Sequence, residues 1–173
     1  MSRWDAEIAT MRAIKDRIAQ GDGENLWRHE PPRLGAPENA LVAVEAALGV
    51  RLHADYRTFL TRCDGWSAVF QENDLFGTAE LLGEALLDAR ELVSYLEPNV
   101  VEELDGITPT SVIPIAMSAT SIDVFVSPVL QGCQTSTVIW LAGSEVERFD
   151  NFADYFGAMV RYNEEEARDL LGN

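Results

Sequence analysis

Three carboxylate pairs stand close enough along the chain to share acid and base duties: Glu72 with Asp74, Glu102 with Glu103, and Glu145 with Glu147. Such pairs do proton chemistry when their surroundings push the two pKa values apart. In a chain with 29 acidic residues, near neighbours of this kind arise by chance, and no tuned nucleophile or base stands beside them. They read as solvated surface. Zinc ligation needs histidines or cysteines a few residues apart, and neither His29 nor His53 has such a neighbour. His53, just ahead of Asp55 and Tyr56, reads as a helix start. Cys63 and Cys133 read as two buried thiols rather than a disulfide framework. Gly21-Asp22-Gly23 opens like a dinucleotide fingerprint but puts Leu26 where the third glycine belongs. The lone lysine, Lys15, falls inside a helical stretch, so there is no phosphate loop. Gly143-Ser144-Glu145 lacks the glycines flanking a nucleophile elbow. The expectation is a protein that is not an enzyme, with no cofactor and no metal.

Charge points elsewhere. Thirteen basic residues against 29 acidic ones leave a net charge of −16 over 173 residues. Residues 1–60 carry 8 basic and 9 acidic side chains, and the remaining 113 carry 5 and 20. That field repels phosphate backbones and anionic membrane surfaces, which argues against nucleic acid or membrane as a partner. It attracts a basic protein, most strongly at low salt. No apolar run approaches the ~20 residues of a membrane span, and the N-terminus lacks an apolar signal core. The expected location is the cytoplasm.

The elements that must position these side chains follow from periodicity. Trp4, Ile8, Met11 and Ile18 predict a first amphipathic helix, followed by a glycine- and proline-rich connector to Ala36. Pro37 suits the first turn of a second helix with Leu41, Val44 and Leu48 on one face and Gly49 as its stop. Tyr56, Phe59, Leu60 and Cys63 predict a third, ended by Gly65. Residues 66–77 suggest short strands or a loop. Leu82, Leu86, Ala89, Val93 and Leu96 predict one long helical stripe. Residues 112–117, 122–126, 137–141 and 146–149 are β-branched or aromatic strand runs, with Pro114 at an edge or bulge. Residues 142–145 make a hairpin connection. Asp150 or Asn151 caps a last helix whose buried face holds Phe152, Phe156, Met159 and Val160. Helices first and strands later predict an α+β fold, a mostly antiparallel (mixed) sheet packed against several helices.

Residues 36–65 carry a recognisable pattern: Leu48-Gly49 ending a helix, Leu52, then Asp55-Tyr56 and Phe59-Leu60 in the next helix, and Gly65 after it. This resembles the N-terminal signature of the SMI1/KNR4 (SUKH) family, with His53 in place of the usual proline and Asp64 in place of the usual asparagine. Leu75-Phe76-Gly77, residues 112–116 and residues 151–156 resemble later parts of the family pattern, so the resemblance covers about residues 36–162. It implies a single domain over 1–173, with 1–35 as an N-terminal helix and connector. It also implies an α+β fold without catalytic machinery, and many bacterial members that neutralise toxins, often nucleases, by direct binding.

Together these lines predict a protein-binding module, an immunity protein that occludes a basic toxin domain. The alternative is a regulatory or scaffold protein of the same family. The contact surface is expected at Trp66, Glu72 and Asp74, after the third helix, with Asp123 and Glu145 from the strand region. Trp66 is the expected aromatic anchor, and the acidic residues are expected to set the association rate.

Overall fold

The computed structural model describes residues 2–172, which form seven helices and seven strands. Helix α1 (Arg3–Gly21) opens with a capping box, in which the Ser2 hydroxyl accepts from the Asp5 N–H and Asp5 accepts from the Ser2 N–H. Its buried face, Trp4, Met11, Ile14 and Ile18, lies along α7 (Phe152–Leu171), where Trp4 meets Phe152 and Phe156 edge-on. Asn151 caps α7 by accepting from the Asp154 N–H at 2.9 Å.

Helix α2 (Glu38–Leu48) ends at Gly49 with φ 64°, the left-handed conformation glycine tolerates. In α3 (Ala54–Leu60) Tyr56, Phe59 and Leu60 are fully buried, and the Tyr56 hydroxyl donates to the Phe76 carbonyl at 3.0 Å. His53 stands at the N-cap of α3. Gly65 does not terminate that helix. The helix stops at Leu60, Cys63 N–H bonds back to Phe59 in an irregular turn, and Gly65 (φ 90°) leads into the sheet. A Cβ there would sit 2.8 Å from the Gly77 nitrogen, so two backbones passing closely are what glycine permits.

The expected stripe from Leu82 to Leu96 is two helices, α4 (Thr78–Leu82) and α5 (Glu84–Ser94). Gly83 between them is extended, and Leu82 is left 50% exposed, off the apolar face. A short α6 (Pro98–Glu103) follows, started by a proline at its first turn.

The sheet runs in the order β1 (Trp66–Phe70), β2 (Asn73–Leu75), β3 (Val112–Ser118), β4 (Val124–Leu130), β6 (Val138–Leu141), β7 (Glu145–Phe149), with β5 (Cys133–Gln134) paired to β4. All named pairings are antiparallel, and a parallel bridge joins Arg51 to Cys133. β3 is interior, so Pro114 is not at an edge. It is at a bulge, where the register slips between Pro114 and Ala116. Val124, Phe125 and Val126 are all buried, so both faces of β4 are covered. Phe125 meets Tyr155 of α7 at 5.2 Å, and α5 also packs on β3 and β4. Cys63 is buried, whereas Cys133, on the short β5, is exposed rather than buried.

Candidate functional site

Antiparallel pairing brings three hairpin turns to one end of the sheet. Asn73 opposite Ser118, and the Ala119 N–H donating to the Glu72 carbonyl at 2.9 Å, place turn 71–72 beside turn 119–123. Val124 opposite Leu141 places turn 142–144 at the same end, with the Ile122 side chain against Gly143. Glu72, Asp74, Asp123 and Glu145, far apart in the chain, all sit at or next to these turns.

Their partners differ. Glu72 and Asp74 hold Arg28 between them, at 3.2 Å to its Nε and 2.7 Å to its Nη2. Asp74 also accepts the Ala68 N–H at 2.7 Å. Glu145 pairs with Arg148 at 2.7 Å, and that hydrogen bond holds its carboxyl below the usual range. Asp123 has no arginine or lysine among the described residues. It accepts from the Ser121 hydroxyl and, at 2.7 Å, from the indole N–H of Trp140.

Trp66 is not available as an anchor. It is 1% exposed, opposite Leu75 in the β1–β2 pairing, and its indole donates to the Glu30 carbonyl at 2.9 Å. The polar residues after it belong to the outer part of the hairpin, while the ring itself turns into the core.

Three partly exposed aromatic rings gather along the second half of α7. There a groove of about 520 Å³ opens between the connector, the β1–β2 turn, β6 and the helix. Trp27, Trp140 and Tyr162 are half-buried in its walls, with Phe70 beneath. Trp140 stacks on Phe125 at 5.0 Å, and Tyr162 lies 5.7 Å from Phe70 while donating to Glu147 at 2.5 Å. Burial first, and then the Glu147 bond, push the Tyr162 phenol up to about 12. Glu165, Glu166 and Asp169 line the same groove, and burial raises the Glu166 carboxyl above the ordinary carboxylate range. Part of this wall carries a sequence signal, because Tyr162, Glu165, Glu166 and Asp169 share the i, i+3, i+4, i+7 spacing of one helix stripe.

The fold and the helix pair around Gly49 agree with the comparison to protein families, where the model of the SMI1 / KNR4 family (SUKH-1) matches residues 35–158. The chain belongs to this family. No curated protein matches it. The SUKH-1 match takes in the whole sheet with α2 to α6, and the first part of α7. It leaves outside it α1, Trp27, and the Tyr162 to Leu170 part of the groove wall. This SUKH-1 protein has, among its described residues, no helix long and apolar enough to cross a membrane.

Proposed function

We propose that this SUKH-1 protein is a cytoplasmic, non-enzymatic binding module that neutralises a basic toxin domain by direct contact at the hairpin-turn end of its sheet. Membership of the family supports protein binding as the general role. One observation carries the choice of surface. Asp123, Glu147, Glu165, Glu166 and Asp169 gather near that end without a lysine or arginine ion-pair partner among the described residues, whereas Glu72, Asp74 and Glu145 are each held by one. Carboxylates without an ion-pair partner project more of their field into solvent, which steers a cationic partner and is screened by salt. A nuclease is cationic where it meets nucleic acid, and a module covering that surface blocks it sterically.

The test is co-expression with a toxin domain encoded beside this gene, scoring growth and co-purification. Rescue with a stable complex is the expected result. A complex without rescue would favour the regulatory or scaffold role instead. Neither rescue nor complex would remove the toxin reading.

A further inference from the structure

The groove along α7 combines two features that rarely coincide on a protein surface. Its walls are aromatic, with Trp27, Trp140 and Tyr162 each leaving part of the ring open to solvent. Its charged lining is anionic throughout, with Glu165, Glu166 and Asp169 and no arginine or lysine. Asp123, bonded to the Trp140 indole, and Glu147, bonded to the Tyr162 hydroxyl, add two more carboxylates at the polar edges of the rings. A purely apolar ligand would leave these carboxylates poorly solvated, and an anionic one would be repelled. A cation with a flat face satisfies both, because it stacks on a ring while its N–H groups bond to carboxylates.

We infer that this groove receives an arginine side chain projected by the protein partner. The inference rests on the binding-module reading above and names the contact within it. Arginine is favoured over lysine because its planar, weakly hydrated guanidinium stacks on aromatic rings and meets carboxylates bidentately. Two of the three ring-bearing walls come from Trp27 and Tyr162, outside the family match at 35–158. The groove thus joins segments that flank the family match to Phe70 and Trp140 within it.

The test needs no toxin. The probe is acetyl-Gly-Arg-Gly-amide, titrated into the intact protein while the indole N–H resonances of Trp27 and Trp140 are followed. Both are expected to shift. The citrulline peptide, equal in shape but neutral, should bind roughly three- to tenfold more weakly, the range of a cation–π contact with modest ion pairing. The Glu165→Gln, Glu166→Gln, Asp169→Asn variant keeps the groove's rings and should show a reduced preference for arginine over citrulline. No indole shift at ~20 mM arginine peptide, or equal binding of the citrulline form, overturns the inference. The two readings fail separately. Toxin neutralisation that survives in the triple variant with affinity within about twofold removes the groove and leaves the function. Arginine-selective binding without neutralisation of any adjacent toxin domain removes the toxin reading and leaves the groove.

Discussion

The indole N–H of Trp140 donates to Asp123 Oδ1 at 2.7 Å, joining the middle of β6 to the turn that starts β4. One face of the ring stacks on Phe125, so the bond and the stack together fix how Trp140 stands in the groove wall. An acidic residue first read as a surface contact is thus a support for an aromatic one.

Asp123→Ala removes that acceptor while leaving a half-buried N–H that water can reach. A loss of about 1.5 kcal/mol in urea unfolding is expected, the low end for a hydrogen bond to a charged group, because the pair is partly exposed. Tryptophan emission should move to the red as the Trp140 ring loosens. An unchanged midpoint and spectrum would show the bond to be without weight.

Trp66→Ala tests the core assignment. The ring is fully buried and its N–H is satisfied by Glu30, so truncation opens a cavity and should cost on the order of 3–5 kcal/mol. Denaturant unfolding measures it. A change below ~1 kcal/mol would contradict the packing.

Lys15 is 6% exposed, and burial drives its ammonium down to about 8 from the ordinary 10.5, against the opposing pull of Glu166 and Glu72. Between those two values the unfolded chain holds a proton that the folded chain has released. Stability should therefore rise with pH through that window. Tyr56, Tyr155 and Tyr162 act oppositely above about pH 10, because burial raises their phenols and the folded chain then holds the extra protons. The clean comparison is Lys15→Met against wild type from pH 7 to 10. The difference between their unfolding midpoints should shrink as pH rises, and a constant difference would refute the buried charge.

The two thiols should separate in a native titration with a disulfide reagent. Exposed Cys133 should react at once, whereas burial pushes Cys63 up to about 12 and should keep it unreactive until the chain is denatured. Rapid reaction of both would place Cys63 outside the core.

Glu72→Lys with Asp74→Lys sets two cations against Arg28 where it now has two carboxylates. The groups are partly exposed, so the stability loss should be modest, about 1 kcal/mol. Association with a basic partner should slow, and the slowing should fade as salt rises. A salt-independent loss would point to misfolding of the hairpin instead.

Much of the fold was readable from local spacing. Tyr56, Phe59 and Leu60, and later Phe152, Phe156 and Met159, recur at the helical period, and all six are buried as that period requires. Gly49 after Leu48 marked a helix end, β-branched runs marked the later strands, and Pro114 marked an edge or a bulge, because each acts on its own backbone. The motif around Asp55-Tyr56 was equally local and led to the right family. Tertiary structure decided the rest. Trp66 looked like a surface anchor because polar residues follow it, yet its pairing with Leu75 and its bond to Glu30 turn it inward. Leu82 fitted a helical stripe until the extended Gly83 broke it. Arg28 meets Asp74 from 46 residues away, which cancels charges that composition counts as free. The groove joins Trp27, Phe70, Trp140 and Tyr162 from four separate elements. Which residues share such a surface depends on strand register and on how α1 and α7 lie across the sheet. Those are non-local contacts, and the periodicity of any one segment contains no term for them.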